Sequence, residues 1–177
     1  MHEPERLLAE IAAAVQSDAD ADVLAEAAEI LVAERGRVRL GDRWRPGTKV
    51  RIATILGESI TGRVRAVGAQ IVLIDGIDGA SHAIASDGIA RVEGLDLVLR
   101  HEETPEPRVQ VTWAWWLRRS EVALLQCRDA WREIVRVTAV GIDHLDGWSQ
   151  DGTRHTIPFS ALVLATDRGS RQSSPRP

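Results

Sequence analysis

Four cations occupy alternating positions of two short segments, Lys49 and Arg51 in KVRIATI and Arg63 and Arg65 in SITGRVRAV, with Arg43, Trp44 and Arg45 just upstream. Successive side chains of a strand point to opposite faces. Val50, Ile52, Ile60, Gly62 and Val64 are therefore expected to turn into a core, and Lys49, Arg51, Thr61, Arg63 and Arg65 to turn outward. Clustered cations track a phosphate backbone, and a neighbouring indole can stack a base. Arg43, Trp44, Arg45, Lys49, Arg51, Arg63 and Arg65 thus form a candidate surface for RNA or DNA. The same residues also fit a solvated face, a different anionic ligand, or an ionic contact with the acidic N-terminal segment of this or another chain.

Other reactive residue types point away from catalysis. Cys127 falls on a strand pattern, the setting of a packing residue rather than a nucleophile. His82 and His155 each follow an Asp-Gly pair, which suggests a role at a rim or turn. The run GIDHLDGWSQDGTRH gathers Asp143, His144, Asp146, Asp151 and His155, but alternate residues of a hairpin face opposite ways and the spacing of a calcium loop is not met. There is no glycine-rich phosphate loop and no serine elbow. The expectation is a protein that is not an enzyme, with no cofactor, no metal and no small-molecule substrate.

Composition bounds the setting. At 177 residues, 44% hydrophobic and 27% charged, the chain is globular and long enough for one ordinary domain or two small ones. A single cysteine allows no internal disulfide and suits a reducing compartment. The N-terminus MHEPERLLAEIAAAVQ carries acids where a signal peptide carries bases, and no apolar run approaches the roughly 18 residues of a membrane span. A cytoplasmic protein without membrane contact is expected. Lys49 is the only lysine and asparagine and tyrosine are absent, which matches the codon bias of a GC-rich bacterial genome. The net charge of −4 weighs mildly against a general nucleic-acid binder, but its distribution is uneven. Residues 1–35 carry −7, 36–65 carry +6, 66–107 carry −6 and 108–177 carry +3.

The sequence repeats itself. RVRAVGAQIVLIDGIDGASHAI from Arg63 returns as RVTAVGIDHLDGWSQDGTRHTI at an offset of 73, with nine identities and no gap. Asp78-Gly79 and Asp151-Gly152 mark the same turn twice, and Asp-Gly predicts a type I′ hairpin with positive φ at both central residues. Each copy reads as five short strands, and a closed barrel would remove their aggregation-prone edges. Leu40 and Trp44 map onto Trp113 and Leu117, so a short helix is expected before each copy. The expected domains are an acidic helical hairpin or extension at 1–35, a first barrel at 36–99, a linker at 100–107, a second barrel at 108–166 and a disordered basic tail at 167–177.

A helix followed by five bent strands, with Gly62 in the second strand and a one-turn break before the last, resembles the Sm-like and Hfq-like small barrels, and more broadly SH3-like barrels. The acidic helical N-terminus with two such barrels resembles a group of actinobacterial proteins. The fold class implied is mainly β with N-terminal α. Sm-like RNA sites use an Asp and an Asn in the loop after the second strand and an Arg-Gly pair before the last. Those places read VGAQIVL and SDGI in the first copy, and VGIDHLD and FSAL in the second, so that signature is absent.

The second copy replaces the outward positions of Lys49, Arg51 and Thr61 by Val122, Leu124 and Ile134. An apolar outer face calls for a cover, from the N-terminal helices, the first barrel or another subunit. In WAWWLRR, Trp113 is expected in the core and one of Trp115 and Trp116 at an interface or surface. Leu8, Ile11 and Val15 form one N-terminal helical stripe and Leu24, Ala28, Ile30 and Leu31 another. The expectation is an interaction or regulatory module that binds a protein partner or self-associates through the second barrel and the helices. RNA or DNA binding through the first barrel is the alternative, and barrel edges could also pair the two copies or join chains.

Overall fold

Alternation in KVRIAT and SITGRVRAV produces β1 (Lys49–Thr54) and β2 (Ser59–Val67), with Val50, Ile52, Ile60, Gly62 and Val64 buried and Lys49, Arg51, Arg63 and Arg65 exposed. β3 (Ile71–Gly76), β4 (Ser81–Ala85) and β5 (Ile89–Glu93) complete the first half. β6 (Val122–Cys127), β7 (Arg132–Val140), β8 (His144–Ser149), β9 (Arg154–Pro158) and β10 (Leu162–Asp167) form the second. This computed structural model describes residues 39–95 and 111–167, together with helical positions 23, 25, 26, 29 and 30. The chain divides into two units, Met1–Asp42 and Arg43–Pro177, and all ten strands lie in the second. In the first unit, Val23 and Ile30 are helical and exposed. The rest of the hairpin expected at 1–35, the linker 100–107 and the tail beyond Asp167 lie outside the described residues; Asp167 itself belongs to β10.

The repeat is a repeat of structure. β6 to β10 each begin 73 residues after β1 to β5, the single 3-10 turns Ser86–Gly88 and Phe159–Ala161 precede the last strands, and short helices, Leu40–Arg43 and Trp113–Leu117, precede the first. Thr112 caps the second helix, its hydroxyl accepting from the Trp115 amide at 3.1 Å. The register slips at matching places, between Val64 and Ala66 and between Val137 and Ala139.

The Asp-Gly turns differ from the type I′ expectation. Only Gly79 and Gly152 have positive φ, at 80° and 83°; Asp78 and Asp151 do not. The Gly79 amide donates to Gly76 O and the Gly76 amide to Ala80 O, and the second copy repeats both bonds with Gly152, Ser149 and Thr153. The glycine is the left-handed fourth residue of the turn, in a longer hairpin than two-residue geometry allows. Each aspartate acts through its side chain instead, accepting from the Ala80 amide at 3.1 Å and from the Thr153 amide at 2.9 Å.

All ten strands form one antiparallel sheet in the order β5-β1-β2-β3-β4-β10-β6-β7-β8-β9. Neither half closes on itself among the described strands, because the edge of β4 that closure would use is taken by β10. Leu164, Ala165, Thr166 and Asp167 face Ile84, Ala83, His82 and Ser81 across this seam. Among the described strands, joining the halves hides two edges and leaves two, on β5 and β9. The strands at the centre are accordingly buried on both faces: four residues of β3, four of β4 and five of β10 are buried in unbroken runs, all apolar but His82 and Thr166. The cores interlock across the seam. Ile71, Leu73, Ala83 and Ala85 of the first half pack in the cluster of Trp113, Trp116, Leu117, Leu125 and Leu162, while Leu164 of the second half packs with Val50, Ile52, Ile74 and Ile84.

One close approach occurs in both halves with the roles exchanged. A side chain on Gly62 would collide with the Asp75 carbonyl and with Ile74, and one on Gly147 would collide with the Arg136 carbonyl and with Val135. Val135 stands at the repeat position of Gly62, and Gly147 at that of Ile74. The space between the second and third strands of each half holds one β-branched side chain, supplied from opposite sides.

Candidate interaction surfaces

Strand register builds the basic face. Lys49 sits opposite Arg63, and Arg51 opposite Thr61, on the exposed side of β1 and β2. β5 adds Arg91, opposite Ala53, so the face is wider than KVRIATI and SITGRVRAV indicate. Acids interrupt it: Asp75 faces Arg63 and pairs with Arg65 at 3.4 Å, and Glu93 faces Arg51 and pairs with Arg91 at 3.4 Å. Arg51 Nε donates to Ser59 Oγ at 3.0 Å and Arg63 Nη1 to Gly47 O at 2.8 Å, which holds both guanidiniums against the sheet. Arg43 Nη2 donates to Leu95 O at 3.3 Å, and Arg45 Nη1 to Trp44 O at 2.9 Å. Trp44 corrects the expectation of a stacking ring. It is buried in the first-half core with Val50, Ile52 and Ile60.

The second half offers the opposite chemistry on the matching face. Val122 pairs with Arg136 and Arg136 with Trp148, while Leu124 pairs with Ile134. Val122, Ile134 and Trp148 are 42%, 39% and 46% exposed and Leu124 is half-buried, so the first half leaves this face open. Trp148 was not among the residues that the substitution pattern singled out. It occupies the repeat position of Asp75, and that exchange of acid for indole was its signal in the sequence. Of the helix residues, Trp113 and Trp116 are both buried, and the Trp116 indole donates to Ser81 Oγ across the seam at 3.3 Å. Trp116 therefore serves the join between the halves rather than an outside surface. Trp115 is half-buried under the Arg119 guanidinium, 3.9 Å from the ring centre.

His82 is not at a rim. It is buried at the seam, with Nδ1 3.0 Å from Thr166 Oγ1 and Nε2 3.5 Å from Asp78 Oδ1. The Ala80 amide, and then His82, hold the Asp78 carboxyl below the usual carboxylate range. His155, its counterpart, lies against the Trp131 ring at 5.1 Å and 3.8 Å from Glu133. The seam is laced further by Arg128–Asp87 at 2.5 Å and by Glu58, which accepts from Gln126 Nε2 at 3.0 Å and pairs with Arg132 at 3.1 Å.

Cys127 is buried and its thiol is pushed up to about 11 by desolvation and then by Asp129, the reverse of an activated nucleophile. The acids and histidines of GIDHLDGWSQDGTRH separate into local pairs, Asp143 with His144, Asp151 with Ser149, and Asp146 with Thr156. The His144 and Ser149 bonds lower the Asp143 and Asp151 carboxyls respectively. Among the described residues no three potential metal ligands converge, and no helix is long and apolar enough to cross a membrane. A cavity of about 540 Å³ lies where the halves meet, lined by Gln70, Asp87, Trp113, Arg128, Asp143 and Phe159 among others. Its walls include the loops that would carry a Sm-like RNA site, yet its arginine is already paired with Asp87. Compared with known proteins, the chain matches no family model, no curated protein and no solved structure.

Proposed function

We propose that this chain is a non-enzymatic interaction module built from two Sm-like, or more broadly SH3-like, five-stranded units, and that it engages a protein partner through the outer face of the second unit. The observation that carries this reading is the four-fold exchange on matching positions. Lys49, Arg51, Thr61 and Asp75 of the first unit become Val122, Leu124, Ile134 and Trp148, three of them more than a third exposed. Apolar side chains and an indole with Arg136 set between Val122 and Trp148 have the composition of a binding surface, since Trp and Arg are enriched where interfaces concentrate their energy. Val122→Asp and Trp148→Ser leave the core untouched and should abolish capture of the partner, or remove self-association, with an unchanged melting temperature. A variant that unfolds instead would assign the face to the core, and one that keeps the partner would refute the reading.

The basic face supports a second reading, RNA or DNA binding, on the cross-strand pairing of Lys49 with Arg63 beside Arg51 and Arg91. With Trp44 buried, such binding rests on phosphate contacts alone. Fluorescence anisotropy with single-stranded RNA and duplex DNA should then show no preference for sequence and an affinity falling with log salt, at a slope of roughly −2 to −4 for three or four neutralised phosphates. Arg51→Glu with Arg63→Glu should flatten that slope. Absence of binding at low salt would remove this reading.

A further inference from the structure

The row of residues that crosses the second half at Trp148 keeps one arginine of its counterpart in the first half and changes everything around it. In the first half Lys49 faces Arg63, Arg63 faces Asp75 and Asp75 faces Ser81. In the second, Val122 faces Arg136, Arg136 faces Trp148 and Trp148 faces Arg154. The exchange that brings in the indole removes the acid that faces Arg63, so Arg136 keeps the charge and loses the carboxylate. The exchange of Ser81 for Arg154 adds a second cation on the other side of the same ring. Directly opposite residues of antiparallel strands share a face. Trp148 therefore stands exposed between two exposed arginines.

We propose that the partner of this face is an acidic, apolar protein segment, which lays an apolar side chain on Trp148 and carboxylates on Arg136 and Arg154. The proposal rests on the reading of this face as the docking surface and adds the chemistry of what docks there.

The charges of the face choose among its occupants. Among the described residues no carboxylate pairs with Arg136, and Arg154 reaches only Asp146, at 3.9 Å, whose other oxygen accepts from Thr156. An exposed pair at that distance is weak and leaves Arg154 open to a better acid. Two copies meeting by this face about a two-fold axis would set the arginines of one against those of the other, which opposes self-pairing. A single-stranded nucleic acid would stack on the indole, but the next row, Leu124 opposite Ile134, extends the surface with aliphatic side chains that a phosphate backbone does not cover. Apolar side chains set between carboxylates meet both rows. With strands about 4.8 Å apart, Arg136 and Arg154 lie about 10 Å from each other across β8, and acids about three residues apart in an extended segment span the same distance.

Fluorescence anisotropy on the full chain tests this with two labelled peptides, one of leucine and phenylalanine flanked on both sides by glutamates, the other with lysines in place of the glutamates. The glutamate peptide should bind, more weakly as salt rises, and the lysine peptide should bind about tenfold more weakly or less. Arg136→Glu and Arg154→Glu should each weaken binding of the glutamate peptide about tenfold. The two reversals combined should make the chain prefer the lysine peptide, which also shows that the variant is folded. Equal binding of both peptides, lost in Trp148→Ser, would overturn the acidic partner and keep the docking face. Binding of the glutamate peptide that Trp148→Ser leaves intact and Arg51→Glu with Arg63→Glu abolishes would overturn the face as well. A glutamate peptide that does not bind, or single-stranded RNA bound through Trp148 in its place, would overturn the proposal.

Discussion

At the residue scale, the repeat exposes where each copy has kept or lost a favourable choice. Gly57 ends the first hairpin turn at φ 82°, and its counterpart Ala130 is held at φ 66°, the sole non-glycine residue with positive φ among those described. A Cβ in the left-handed region costs roughly 1–2 kcal/mol, partly offset by the greater freedom of glycine in the unfolded chain. Ala130→Gly should therefore raise stability by about 0.5–1 kcal/mol, read as a higher urea midpoint with an unchanged slope. Cys127 provides a second test. With its folded pKa raised from 9.0 to about 11, alkylation at pH 8 should be about a hundredfold slower in the folded protein than in urea. The sign for stability follows: the buried neutral thiol stabilises fully below pH 9, and that contribution is lost as pH rises toward 11. Rapid labelling of the folded chain would show that the thiol is not desolvated.

At the element scale, the strands were legible because alternation and turn residues agree. Lys49, Arg51, Arg63 and Arg65 turn out and Val50, Ile52, Ile60 and Val64 turn in, as period two requires. The turn type was not legible, since Asp-Gly serves both a two-residue turn and a longer one closed by a left-handed glycine. The steric exchange between Gly62 with Ile74 and Val135 with Gly147 was written in the repeat as two mismatches that make sense only together. Gly62→Val should cost about 2–3 kcal/mol from overpacking. Adding Ile74→Gly, which reproduces the second half in the first, should recover part of that loss, read as a urea midpoint between those of the single variant and the wild type. A double variant whose loss equals the sum of the losses of Gly62→Val and Ile74→Gly made singly would show that the two sites are not coupled.

At the scale of the whole molecule, sequence reasoning closed each half into its own barrel, whereas the structure joins the halves through β4 and β10. The signal was present in composition: IVLI, HAIA and LVLAT are apolar without alternation, as strands buried on both faces must be, while RHTIP and IARVE keep charges. The seam also accounts for two side chains: His82, expected at a rim or turn, is buried beside the turn residue Asp78, and of Trp115 and Trp116, one of which was expected at an interface or surface, Trp116 is the buried one. The outer faces were legible in outline, but Trp148 and Arg91 joined them only once register was known. The seam also fixes the interaction chemistry: the row Ile74, His82, Thr166, Leu124 across it puts the apolar face of the second half on the opposite side of the sheet from the basic face of the first.

Amide hydrogen exchange resolved along β4 and β10 tests this account most directly. If the halves share one sheet, the amides of Ala83, Ile84, Leu164 and Ala165 should be among the slowest in the protein, exchanging with the core of β3 and more slowly than the outer edges of β5 and β9. Exchange of β4 or β10 as fast as that of β5 and β9 would mean that the halves are separate units and would contradict the account.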